Sequence, residues 1–164
     1  HAGARALEAL DLGCGTGLCG IALAGSLKTL TGVDLAPKML EESRKRGLYD
    51  RLELAEIGAF LGRTPAASFD LVLAADVFIY SGDIGAIFEG IARCLRDDGL
   101  CAFSVESCTG EDWKLLRAGR YAQSNDYLRR LAATHGFRVL HAEPSVIRKG
   151  VQGEILLFQR GAKA

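Results

Sequence analysis

The sequence predicts an α/β domain: a mostly parallel seven-stranded sheet, antiparallel in its last strand, with a layer of helices on each face. Three observations point to it. Short apolar runs alternate with helical patterns along the chain. Some runs, such as Leu71-Val72-Leu73-Ala74-Ala75, are continuously apolar, as strands covered on both faces are. The last two runs are joined by ten residues, Pro144 to Gly153, which lack a helical period and are too few for a helical crossover, so a hairpin is expected there.

In chain order, the first strand, Ala6–Gly13, runs into a glycine-rich turn and a helix over Gly17–Ser26. A strand at Thr29–Asp34 leads to a helix over Pro37–Arg46. Pro37 suits the first helical turn, where its missing N–H has no intrahelical partner, and Gly47 suits the left-handed residue that closes a helix. Strands follow at Arg51–Ile57 and Phe69–Asp76. The helix over Asp83–Arg96 places Ile84, Ile87, Phe88, Ile91 and Leu95 on one face. After the strand Leu100–Glu106 comes a long connection, Ser107–Ser124, which holds the only Trp along with Arg117, Arg120 and Tyr121. Long connections of this kind form lids or substrate walls, or plain surface structure. A helix over Asn125–His135, closed by Gly136, precedes the strands Phe137–Glu143 and Glu154–Gln159.

The 164 residues fit one domain, residues 1–164. Twenty Lys and Arg balance twenty Asp and Glu, so the charge offers no footprint for nucleic acid or anionic lipid. The longest uncharged run, Leu12 to Leu27, is interrupted by five glycines and is too short for a membrane span. Five cysteines without a C-x-x-C pair argue against a disulfide framework or a metal site and suggest reduced thiols in the cytoplasm. The one compositional excess is glycine. There are twenty, nearly twice the usual share of about 7%.

That excess has a focus in Asp11-Leu12-Gly13-Cys14-Gly15-Thr16-Gly17, between the first strand and first helix. Glycines at alternate positions remove side chains that would hold a ligand off the backbone, and they permit positive φ. The N–H groups at the following helix start favour an anionic group. Asp34 ends the second strand, where a carboxylate can accept both ribose hydroxyls of an adenosine. Gly15-x-Gly17-x-x-Gly20 also satisfies the dinucleotide fingerprint, so an NAD(P)-dependent oxidoreductase stays open. Against it stands Asp11, whose charge would repel a pyrophosphate but welcome an ammonium or sulfonium.

Residues 11–17 resemble the first motif of the class I S-adenosylmethionine-dependent methyltransferases. Val33-Asp34-Leu35-Ala36-Pro37-Lys38-Met39-Leu40 resembles their second motif, and Leu95-Arg96-Asp97-Asp98-Gly99-Leu100 their entry into the fifth strand, with Leu100 replacing a second glycine. Residues 119–124, with Tyr127-Leu128, resemble a bacterial group of methyltransferases fused to tetratricopeptide repeats. The resemblance implies a Rossmann-like three-layer sandwich and S-adenosylmethionine as cofactor, with S-adenosylhomocysteine as product. Carried over residue by residue, it implies that Asp11, Gly13, Cys14, Gly15 and Gly17 hold the methionine end and Asp34 the ribose. Leu35 and Met39 would line the adenine, Glu56 and Ile57 would meet its edge, and Asp76 would border methyl group and substrate.

Plainer readings stand beside these. Asp11 could cap a turn, Asp34 end a strand, Glu56 be a solvated loop carboxylate and Asp76 a turn residue. Met39 and Ile57 could be core, and Cys14 a small loop residue. Tyr80, four residues after Asp76, is the preferred substrate contact beside a structural alternative. Methyl transfer from a sulfonium needs alignment more than acid–base chemistry, and no triad is visible. The implied acceptor is a small molecule or a protein; nothing favours nucleic acid. The family usually has a helix before the first strand that closes over the cofactor. Here that strand begins about six residues in, which implies either one domain of a longer protein or a lid from another segment or subunit. A non-catalytic cofactor-binding module is the further alternative.

Overall fold

The computed structural model describes residues 6–162; the expectation about a segment before the first strand concerns residues 1–5 and lies outside them. The alternation resolves into β1 (Leu7–Leu12), α1 (Leu18–Ala22), β2 (Leu27–Asp34), α2 (Pro37–Arg46), β3 (Arg51–Leu54), α3 (Ile57–Arg63) and β4 (Phe69–Ala74). A 3-10 turn at Phe78–Tyr80 leads to α4 (Gly85–Cys94), β5 (Leu95–Cys108), β6 (Trp113–Leu115) and β7 (Tyr121–Ser124). The chain continues through α5 (Asn125–Thr134), β8 (Phe137–Arg148) and β9 (Val151–Arg160).

The main sheet runs β3, β2, β1, β4, β5, β9, β8. The first five strands are mutually parallel. β9 lies antiparallel between β5 and β8, as the hairpin reading expects. Because β1 leads to β2 on one side and has β4 on the other, the strand order reverses there, and a crevice opens beyond the carboxyl ends of β1 and β4.

Strand alternation divides the core. Leu10, Leu12, Val72, Ala74, Phe103 and Phe158 face a large core completed by Phe60 and Leu61 of α3, Phe88 and Ile91 of α4, and Leu128 and Leu131 of α5. At its centre the Phe88 ring meets Phe78, Phe103, Phe137 and Phe158, with centroids 5.3 to 6.0 Å apart. Ala9, Leu30 and Leu71 face the other side, a smaller cluster that includes Leu23 and Tyr49. By the same alternation Asp11, two residues after Ala9, belongs to this second face.

The elements depart from the sequence pattern in several places, and the closing hairpin is longer than expected, its strands meeting at a Lys149-Gly150 turn. The strand expected at Arg51–Ile57 stops at Leu54, because Glu56 caps a helix that begins at Ile57. That helix carries Gly58 and Gly62, poor helix formers that mask its pattern. The helix expected over Gly17–Ser26 shrinks to Leu18–Ala22, with Gly25 at φ 78°. The expected helix to Arg96 ends at Cys94, since Leu95 already pairs with Phe69 across a bulge. Finally, the Ser107–Ser124 connection folds into the β6–β7 hairpin, which continues the sheet where β7 pairs with Ser107 and Cys108 of β5.

Candidate active site

The glycine loop is set by local geometry. Gly13, Gly15 and Gly17 have φ of 66°, 52° and 87°, the left-handed region that side chains resist. At Gly13 space is denied as well: an added Cβ would stand 2.3 Å from Cγ2 of Val77. Polar side chains hold the loop from behind. Ser43 donates its hydroxyl to the Gly15 carbonyl at 2.9 Å, and Arg46 donates Nε–H to the Thr16 carbonyl at 2.6 Å. Asp34 straps the loop to the start of α2, accepting from the Gly15 N–H and the Ala36 N–H, both at 2.8 Å.

In front of this loop lies a cavity of about 590 Å³, within the usual range for small-ligand sites, about 300–1,000 Å³. Gly13, Cys14, Gly15, Asp34, Leu35, Met39, Glu56, Ile57, Asp76 and Tyr80 all line it. Asp11 and Gly17 are not among its lining residues. Asp11 is 1% exposed, and its carboxylate accepts the Tyr49 hydroxyl at 2.7 Å. Burial pushes its pKa from 3.8 up to about 6, against the hydrogen bonds of Tyr49 and Cys19 and with Asp34 adding repulsion. Burial and the Asp11 charge likewise push the Cys14 and Cys19 thiols to about 12, so both are protonated at neutral pH. α1 is only five residues long, so loop backbone rather than a long helix dipole meets a ligand here.

Glu56 borders the cavity as the cap of α3, its two oxygens accepting from the Gly58 and Ala59 N–H groups at 2.8 Å each. Leu35 and Met39 stay 65% and 44% exposed. Apolar side chains left open at a cavity wall are available to a planar ligand, and core packing does not account for them.

The far end of the cavity is built differently. Asp76 has φ 58°, unusual for a non-glycine residue. Its N–H is held by the Ser104 hydroxyl at 2.9 Å. Its carboxylate is gripped by both Nε and Nη2 of Arg148, from the tip of the β8–β9 hairpin. Arg148 Nη1 also lies 3.6 Å from buried Glu106, whose Oε1 accepts from Arg120 Nε at 2.6 Å. Tyr80 is 73% exposed, and the turn that carries it is clamped from the other side. Gln123 Nε2 donates to the Ser81 carbonyl at 2.7 Å, while Trp113 packs on Gly82. Asp83 serves this clamp, accepting from Gly85 N–H and from the Tyr127 hydroxyl. Among the described residues there is no group of three or more side chains that could hold a metal.

Two contributors escape sequence reading. Tyr49 has no motif around it; its partners on α1 and β2 are glycines. Arg148 sits in a segment whose pairing partner is 72 positions away, whereas Arg120 belongs to the long connection that the sequence already marks as a lid or substrate wall.

The family described as methyltransferase domain matches residues 10–103. The chain belongs to the class I S-adenosylmethionine-dependent methyltransferases. It is 37% identical over 102 residues to aklanonic acid methyltransferase DauC of Streptomyces sp. (strain C5), covering 58% of this chain and 46% of that protein. It is 32% identical over 129 residues to the malonyl-[acyl-carrier protein] O-methyltransferase of Legionella pneumophila, covering 73% and 44%. The chain thus spans less than half the length of these relatives. An S-adenosylmethionine-dependent methyltransferase of Methanosarcina mazei shares the fold with a TM-score of 0.80 at 15% identity, over 98% of this chain and 95% of that one. Family membership makes S-adenosylmethionine the cofactor of this methyltransferase domain and sets aside the nicotinamide reading. No helix among the described residues is long and apolar enough to cross a membrane.

Proposed function

We propose that this domain transfers a methyl group from S-adenosylmethionine to a small-molecule acceptor, bound at the Asp76–Tyr80 end of the cavity. The observation that carries this reading is the continuity of one cavity, from the Asp34, Leu35 and Met39 wall to Asp76, Tyr80 and Ser81. The cofactor supplies an electrophilic methyl group on a sulfonium, whose leaving thioether needs no proton. The chain's part is to bind, align and exclude water.

The cradle fits the group. Gly13 and Gly15 let the methionine end approach backbone, with Cys14 and Gly17 shaping the turn. Asp34 keeps lone pairs for ribose hydroxyls beside the two N–H groups it already accepts. Leu35, Met39 and Ile57 flank an adenine, and Glu56 fixes the start of α3 at its edge. Asp11 sets a negative charge behind the loop for the ammonium group. Asp76 and Tyr80 meet the acceptor, orienting a hydroxyl or taking its proton. Exposed Leu18 and Leu35 at the mouth are the surface a lid from another segment or subunit would cover.

The related proteins named for aklanonic acid and for malonyl-[acyl-carrier protein] put acidic and carbonyl-bearing acceptors first in a screen. The test has two arms. Calorimetric titration is expected to show S-adenosylhomocysteine binding and none of NAD(H); no binding of the former sinks the proposal. Methyl transfer to an acceptor, abolished in Asp34→Ala, separates an enzyme from a binding module. A domain that binds cofactor but methylates nothing in the screen favours the module.

A further inference from the structure

We propose that Tyr49 is a positioning residue of the cofactor site: its hydroxyl fixes the buried Asp11 carboxylate behind the glycine loop, and so sets the charge that the cofactor's ammonium group meets. This rests on the reading of the site given above. Tyr49 lies between α2 and β3 and reaches Asp11 only through a slot kept open by glycines on three different elements. An added Cβ at Gly20 of α1 would stand 2.9 Å from its ring, one at Gly32 of β2 2.7 Å, and one at Gly17 of the loop 3.1 Å. Loop, helix and strand all forgo a side chain there, and the ring that enters carries one polar atom, placed 2.7 Å from the carboxylate.

A ring that merely filled space would not need that atom. The chemistry explains its presence. A carboxylate taken out of water loses solvation and tends to take up a proton. A hydroxyl donor opposes this by stabilising the ionised form, and it also fixes the direction of the carboxylate. The groups facing Asp11 are few: Tyr49, the Cys19 thiol of α1 that also donates to it, the Cys14 thiol in the loop and the Asp34 carboxylate at the end of β2. Both thiols are neutral and Asp34 repels, so no cation among them supports the charge. Tyr49 is therefore the main device that keeps Asp11 ionised and aimed. Cys19, bonded to the same carboxylate, itself lines the cavity, which leaves Asp11 one side chain from the ligand.

The test compares Tyr49→Phe, which keeps the ring, with wild type and with Asp11→Asn. S-adenosylhomocysteine is titrated calorimetrically between about pH 5 and pH 8. Wild type is expected to bind more weakly as pH falls through about 6. Tyr49→Phe should bind about tenfold more weakly at neutral pH, with its inflection moved to higher pH, and Asp11→Asn should show no inflection. A Tyr49→Phe protein with wild-type affinity and a wild-type inflection overturns the proposal. Gly20→Ala gives an independent check. Alanine is otherwise preferred in a helix, yet its methyl meets the Tyr49 ring, so weaker binding supports the slot and unchanged binding opposes it. The Asp11 carboxyl is also titrated by carbon NMR without ligand. If wild type fails to bind at any pH, the cofactor reading fails, while an unshifted Asp11 titration in Tyr49→Phe overturns the tether itself.

Discussion

The two ends of the cavity are held by opposite means. At the proposed cofactor end, on β1 and β2, the constraint lies in backbone: three left-handed glycines, carbonyls held by Ser43 and Arg46, and one buried carboxylate on Tyr49. At the proposed acceptor end, beyond β4 and β5, it lies in long side chains from distant segments: Arg148 on Asp76, Arg120 on Glu106, Gln123 and Trp113 on the turn after β4. Backbone cradles suit a ligand that never changes, because any added atom obstructs them. Side-chain networks of modest strength can be rebuilt by substitution, which suits an end whose acceptor differs between relatives.

The sharpest way to break this contrast is at Gly13. Gly13→Ala meets both a positive φ and the Val77 methyl, costs of about 1–2 and 1–3 kcal/mol. S-adenosylhomocysteine affinity should fall about a hundredfold or more. Adding Val77→Ala clears the methyl but leaves the backbone strain, so calorimetry on the double variant should show only partial recovery. Full recovery would mean that side-chain space alone governs this end.

Next in size is the cost of the buried acid. Asp11 has a folded pKa raised from 3.8 to about 6, so the native state holds its proton more tightly than the unfolded chain. Native stability from this group is complete below about pH 4 and is lost as pH rises through about 6. The loss at pH 7 is about 3 kcal/mol at 1.36 kcal/mol per pKa unit. Asp11→Asn removes that cost and is expected to stabilise the fold at pH 7 by up to this amount, with the gain shrinking to nothing near pH 4, while cofactor binding weakens. Urea unfolding at the two pH values checks it. An equal effect at both would show that the Asp11 charge is not what the fold bears.

The smallest effect is expected at the other end. The Asp76–Arg148 pair is partly exposed, with side chains 47% and 29% accessible, and such pairs contribute about 0–1 kcal/mol. Arg148→Met should lower stability by no more than that, an effect that shrinks further in salt, and leave S-adenosylhomocysteine affinity within about twofold. A tenfold loss of that affinity would erase the distinction between the two ends.

The same contrast explains what could be read from sequence. Gly13, Gly15 and Asp34 were legible because backbone geometry demands particular residue types at fixed short spacing. The parallel core and the closing hairpin were legible because strands buried on both faces and connections of limited length leave few alternatives. Glu56 was expected near the ligand and does line the cavity, but its place as the cap of α3 was not legible, since glutamate is not a preferred capping type and glycines blur that helix. Tyr49 and Arg148 were not legible at all. The first works by filling what glycines lack, and the second pairs across 72 positions of chain, which no local pattern records.

The position of β9 has a consequence for assembly in time. It is the last strand among the described elements, yet it sits inside the sheet, its Leu156 and Phe158 beside Phe103 and Cys101 of β5. A chain emerging from the ribosome therefore completes its cofactor cradle while the flank of β5 stands open, an apolar edge of the kind that invites foreign strands. Closure waits for residues made some fifty positions later, a long loop to close. Ligand could thus meet a finished cradle on an unfinished protein, and a nascent chain halted before Val151 should be sticky rather than merely inactive.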